Sequence, residues 1–149
     1  MAEGSIAPGF KLSVIRYQDM SEKITSFEDL ECWQASRRLR IFIAKTIVPI
    51  LPKEERYGLA SQVLRSARST TANIAEGYGR FHYLDNAKFC SNARGSCFET
   101  LDHLITANDE KMIPDALLSE GRELVDEAAK ILNGYIAYLR RKSASPDNQ

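Results

Sequence analysis

The sequence carries no net charge, no long apolar run and few of the residues that build metal or redox centres. Lys plus Arg equals Asp plus Glu at 20 each, so bulk charge gives no pull toward nucleic acid. An anionic partner would have to be drawn by local clustering of basic side chains. No apolar stretch approaches the ~20 residues that span a bilayer, which removes a membrane partner. The N-terminus lacks a basic region followed by an apolar core, so no secretory leader is read there. The three cysteines, Cys32, Cys90 and Cys97, are odd in number and far apart. That excludes a disulfide framework and points to buried free thiols in a reducing cytoplasm. His82 and His103 stand at no ligand spacing to them. No nucleophile–base pair, phosphate loop or metal spacing occurs, so the expectation is a protein with no cofactor, no metal and no enzymatic activity.

What remains is helical periodicity. The chain has 149 residues, enough for one domain with a real core. Its 44% hydrophobic and 27% charged content is that of an ordinary globular protein. Four apolar stripes at three- and four-residue steps predict helices over about 28–51, 53–76, 84–108 and 115–141. Ser26 is a candidate N-cap for the first, with Asp29 three residues on. Leu30, Trp33, Leu39, Phe42, Ile43, Ile47 and Ile50 mark its buried side, and Pro49 and Pro52 end it. Lys53-Glu54-Glu55 opens the second helix, and Gly77 and Gly79 break it. Gly95 and Ser96 interrupt the third stripe, which predicts a close helix–helix approach there. In the fourth, Leu118, Val125, Leu132 and Leu139 repeat every seven residues.

No credible core strand and no internal repeat is present. The expected fold is all-α, an antiparallel four-helix bundle over residues 26–142. Residues 1–25 form an N-terminal extension, in which Lys11–Tyr17 reads as a short strand or a loose arm. Met20 is a second candidate start, leaving residues 1–19 upstream of it. Residues 143–149 read as a disordered polar tail.

The most informative stretch is PKEERYGLASQVLRSARSTTANIAEG, residues 52–77. Leu59, Ala60, Val63, Ala67, Ile74 and Ala75 supply one side of a helix. Gln62, Arg65 and Arg68 lie on adjacent turns of another. Guanidinium groups fixed on a rigid helix suit phosphate contacts. The alternative is that they pair with acids on neighbouring helices or subunits. Arg37, Arg38 and Arg40 are further candidates, as is Arg80, with a solvated face as the alternative. Trp33, Tyr78, Phe81 and Tyr83 could stack on bases or pack in the core and subunit seams. Asn73 and Glu76 are placed to bond the glycine loop after the second helix or a partner helix. Glu99, Asp102 and His103 cluster on the third, without the Glu-x-x-His pairing of di-iron bundles.

Several blocks match a known pattern. Phe27-Glu-Asp-Leu30, Trp33-Gln34-Ala35, Pro52, Gly58-Leu59, Gln62, Arg65, Asn73-Ile-Ala-Glu-Gly77 and Gly79-Arg80 resemble the four-helix proteins encoded in intervening sequences of bacterial 23S rRNA genes. Phe89, Ala93, Gly95-Ser96 and Glu99 agree as well, so the resemblance covers roughly residues 27–140. The chain departs from the pattern at Leu64, Arg68, Thr70 and Thr71. That family is similar in fold to the accessory protein of diversity-generating retroelements, which assists a reverse transcriptase and binds nucleic acid. The resemblance implies a ring-like homopentamer with RNA or DNA, and a reverse transcriptase, as partners. The candidate nucleic-acid contacts, read from the residues themselves and not carried over from the family, are Gln62, Arg65, Arg68, Arg37, Arg38 and Arg80. The alternative function is a protein–protein scaffold with no nucleic-acid role.

Overall fold

In the computed structural model, residues 24–146 are described; the expected N-terminal strand or arm lies outside them. The described chain is helical throughout, with no strand among those residues. Four long helices, α1 (Glu31–Phe42), α2 (Leu59–Tyr78), α3 (Tyr83–Asp109) and α4 (Asp115–Ser143), pack around one core. α2 lies on α3, α3 on α4, and α1 touches both α2 and α4.

The start differs from the simple N-cap reading. Ser26 does cap, with its hydroxyl accepting from Glu28 N–H at 3.2 Å, but what it caps is a 3-10 turn, Phe27–Asp29. The Asp29 carboxylate accepts from the N–H groups of Thr25 and Ser26 at 3.0 and 3.1 Å. Those bonds, Thr25's first, hold its pKa below the usual carboxylate value. Leu30 then adopts an extended backbone, and α1 begins at Glu31.

Two prolines shape the other end of α1. Pro49 has no N–H to give to the carbonyl four residues back, and its ring crowds that turn. The helix loosens into a π-helical stretch over Ile43–Ile47, then tightens into a 3-10 turn over Val48–Ile50. The expected stripe holds through Ile47, while Ile50 is left 47% exposed.

Both ends of α2 differ from expectation. Lys53–Glu55 forms a separate 3-10 turn. Glu55 reaches forward, and its Oε2 accepts from Leu59 N–H at 2.8 Å. The acidic side chain therefore caps α2 from outside rather than sitting in its first turn. At the far end α2 runs through Gly77 and stops at Gly79. Gly77 is where helices come close: a Cβ there would lie 2.9 Å from Phe89 Cβ and 3.1 Å from the Asn86 carbonyl oxygen. Gly95 is not such a place. It faces solvent with nothing within 4 Å of a Cβ. Ser96 does face α2, sharing a hydrogen bond with Ser69 at 2.9 Å.

A second hydroxyl pair, Ser66 with Thr100 at 2.8 Å, joins the same seam. Small hydroxylic side chains let α2 and α3 approach while keeping buried polar groups bonded. The α3–α4 turn carries Lys111 at φ 60°. Asn108 closes it, donating to the Ile113 carbonyl at 3.1 Å and to Asp115 Oδ1 at 2.8 Å.

The heptad positions Val125, Leu132 and Leu139 are buried, with Ala128 and Tyr135 between them; Leu118 is only half-buried. All three cysteines are free and buried. Burial pushes the Cys90 and Cys97 thiols up to about 12 and raises Cys32 well above its usual value. α4 includes Ser143, the first residue of the expected tail, and residues 144–146 follow as a turn.

Candidate interaction surface

Helix α2 turns Val63, Ala67, Thr70 and Ile74 inward, and this sets Gln62, Arg65 and Arg68 outward. All three side chains are exposed on consecutive turns. Neither guanidinium takes part in an ion pair or hydrogen bond among the described residues. Acids on neighbouring helices of the same chain therefore do not hold these two arginines.

The other expected contacts divide. Arg38 meets Glu127 of α4 at 3.1 Å, with both side chains half-exposed. Such a pair contributes at most about 1 kcal/mol. Arg37 is exposed, its guanidinium 5.9 Å from the Trp33 ring centroid. Arg40 lies 6.0 Å from the same ring and donates to Thr71 Oγ1 at 2.8 Å, tying α1 to α2. Arg80 is engaged twice, with Glu76 at 3.0 Å and over the Phe89 ring at 4.7 Å. The structure therefore gathers Gln62, Arg65 and Arg68 into one open row, leaves Arg37 and Arg38 on α1, and puts Arg80 beyond the end of α2.

Zero net charge conceals an uneven distribution. Residues 31–80 hold nine basic and four acidic side chains, and residues 83–143 hold eight basic and ten acidic. The α1–α2 half is thus positive by five, and the α3–α4 half negative by two. Exposed Glu120, Glu123, Asp126 and Glu127 concentrate the negative charge on the first half of α4.

The remaining polar candidates are structural in geometry. Asn73 donates within its own helix, to Ser69 O at 2.8 Å and Ser69 Oγ at 2.9 Å. Glu76 bonds the loop through Arg80. His103 Nε2 lies 3.5 Å from Glu99 Oε1, while Asp102 is exposed. No group of three or more potential metal ligands converges among the described residues. Trp33 is half-buried with its ring edge-on to Phe27 at 5.4 Å, and Tyr78 meets Phe27 at 6.4 Å. Phe81, by contrast, is 94% exposed. No helix among the described residues is long and apolar enough to cross a membrane.

Comparison with known proteins agrees with the helical pattern. A crystal structure from Bacteroides thetaiotaomicron VPI-5482, of a protein of unknown function from the S23 ribosomal protein family, is similar in fold. Its TM-score is 0.65 at 22% sequence identity, covering 70% of this chain and 97% of that one. No curated protein matches the sequence. The profile of the 23S rRNA-intervening sequence proteins matches residues 28–134, from the capped turn before α1 to the last third of α4. The chain belongs to that family of 23S rRNA-intervening sequence proteins.

Proposed function

We propose that this protein is a non-enzymatic, homo-oligomeric four-helix bundle that binds the phosphate backbone of RNA or DNA through the exposed face of α2. It would serve as an accessory to reverse-transcriptase or rRNA-related machinery, in the manner of the retroelement accessory protein it resembles. The observation that carries this reading is the open row of Gln62, Arg65 and Arg68, in which neither guanidinium is paired with an acid among the described residues. It sits within residues 31–80, which are positive by five.

An antiparallel order of helices supports the geometry. Ser66 meets Thr100 and Ser69 meets Ser96, so position rises on α2 as it falls on α3. Asn86 meets Tyr135, while Arg94 meets Asn133 and Leu104 packs toward Gly121, which gives the same sense for α3 and α4. A fivefold ring follows from the family resemblance. Such symmetry would repeat the row five times and turn a weak patch into a multivalent one. The same reading keeps the protein in a reducing compartment, where its three thiols stay free.

The test is a mobility-shift titration of RNA and of DNA at several salt concentrations, with light scattering on the same samples. Binding should show little sequence preference and weaken steeply with salt. Arg65→Ala with Arg68→Ala should weaken it and reduce the salt slope by about two per engaged subunit, at unchanged oligomer mass. A scaffold without nucleic acid is the second reading, favoured by the cluster of exposed acids on α4 and the excess of basic residues over α1 and α2. Dissociation of the oligomer by the double substitution would select it, because the arginines would then be pairing between subunits.

A further inference from the structure

We infer that the end of the bundle where α2 passes into α3 is a stacking site for unpaired bases, so that the protein prefers single-stranded nucleic acid. This rests on the reading of the chain as a nucleic-acid binder and adds to it a second contact surface and a strand preference.

The short connection between α2 and α3 holds aromatic rings in water. Phe81 is 94% exposed and Tyr83 40%, and Leu84 beside them is 61% exposed. The Phe81 ring stands perpendicular to His82 at 5.1 Å between centroids, and its exposure leaves most of the ring accessible. A cluster of this kind is costly to leave bare and marks a binding surface. Behind the rings lies a groove of about 280 Å³, lined by Tyr78, His82, Asn86, Tyr135 and Tyr138 among others. Tyr135 and Tyr138 lie nearly parallel, 14° apart with centroids at 6.2 Å. The groove therefore sets aromatic and polar side chains beside the aliphatic Ile24, Leu30 and Leu139.

Charge selects the occupant. Arg80 flanks the groove. Lys88 and Arg140 line an adjoining cleft beside Leu84. Lys142 reaches over the Tyr138 ring at 5.8 Å, in a last turn of α4 that reads Arg140, Arg141, Lys142. Arg80, Lys88, Arg140 and Lys142 thus lie at the aromatic end, against Glu76 (already paired with Arg80), Asp85, and Glu28 and Asp29 in the turn beside Leu30. Rings interleaved with basic side chains suit a strand whose phosphates run along the rim while its bases lie on the rings. In a duplex the base faces are already covered by their neighbours, so only the phosphate contacts remain available.

The experiment compares the full chain with Phe81→Ala plus Tyr83→Ala, using labelled oligodeoxythymidylate and a labelled duplex of the same length. Phe81 is too exposed for its loss to disturb the core. The double variant should bind the single strand about tenfold or more weakly, the loss of one stacked base. Its salt slope and duplex affinity should be unchanged, and Phe81→Trp should restore single-strand binding. Unchanged single-strand affinity in the double variant, or wild-type protein that binds duplex as tightly as single strand, overturns this inference while leaving the α2 contacts standing. A fall in oligomer mass with unchanged binding gives this face to a second copy of the chain, and also overturns it. No binding of either nucleic acid by the wild type overturns both readings together.

Discussion

Two glycines in neighbouring helices give opposite answers to the same substitution. Gly77 lies in the last turns of α2 against α3, and Gly95 lies in the middle of α3 facing water. Replacing either by Ala removes a helix-interior glycine, which favours the folded state by up to about 1 kcal/mol. At Gly95 nothing opposes this, since a Cβ meets no atom within 4 Å. At Gly77 the new Cβ would stand 2.7 Å from Asn86 Oδ1, 2.9 Å from Phe89 Cβ and 3.1 Å from the Asn86 carbonyl oxygen. The last two belong to, or hang directly on, the α3 backbone, so the helices must part rather than a side chain swing aside. Overpacking of this kind costs about 1–3 kcal/mol. Moving Asn86 also strains its buried hydrogen bond to Tyr135 Oη, 3.1 Å long, which contributes about 1 kcal/mol more.

Gly95→Ala should therefore gain about 0.5–1 kcal/mol, and Gly77→Ala should lose about 1–3. Each kcal/mol moves the melting temperature of a domain this size by about 4 °C. Thermal and urea unfolding followed by circular dichroism at 222 nm reads both, at one fixed protein concentration because association shifts apparent stability. The separation between the variants should exceed about 1.5 kcal/mol. If Gly77→Ala matches the wild type, or if both variants move in the same direction, the close approach of α2 and α3 at this point is wrong.

Two further outcomes follow from the same core. Asn86→Ala strands the Tyr135 hydroxyl and removes the acceptor of the Cys90 thiol, at 3.4 Å, and should cost about 1–3 kcal/mol in urea unfolding; a loss under about 0.5 kcal/mol would mean that water reaches the hydroxyl. Cys90 and Cys97 are pushed from 9.0 up to about 12 by burial, so below pH 9 the thiols are protonated in both states and add no pH dependence. Above it the unfolded chain releases protons that the folded chain keeps, and stability should fall between about pH 9 and 12, by up to about 1.4 kcal/mol per pH unit for each thiol. Urea midpoints measured across that range test this, and a flat profile to about pH 11 would refute it.

How much of this was legible in the sequence depended on how far each signal reached along the chain. The four apolar stripes are local and repeated, and each became helical over most of its expected span. The errors fall where one side chain decides the outcome. Glu55 looks like a first-turn acid but lies in a separate 3-10 turn, from which its carboxylate accepts the N–H of Leu59. Gly95 and Gly77 both interrupt a helical pattern, and composition alone cannot say which faces a neighbour. That depends on the rotation of α2 against α3, fixed by contacts distant in sequence such as Ser66 with Thr100.

The basic row was legible for the same reason as the stripes: Gln62, Arg65 and Arg68 are exposed because Val63, Ala67 and Thr70 are not. The engagement of Arg80 was readable as well, since Glu76 stands four residues before it, within reach across the end of α2. Arg38 was not, because its partner Glu127 lies 89 residues away. Nor was the aromatic end, which exists only because α4 returns its Tyr135–Lys142 stretch beside the turn that carries Phe81. Equal totals of acid and base hid the polarity between the two halves. A partner meets the local field within about a Debye length of the surface it touches, so local clusters such as the row on α2 would weigh on the proposed binding more than the sum over the chain.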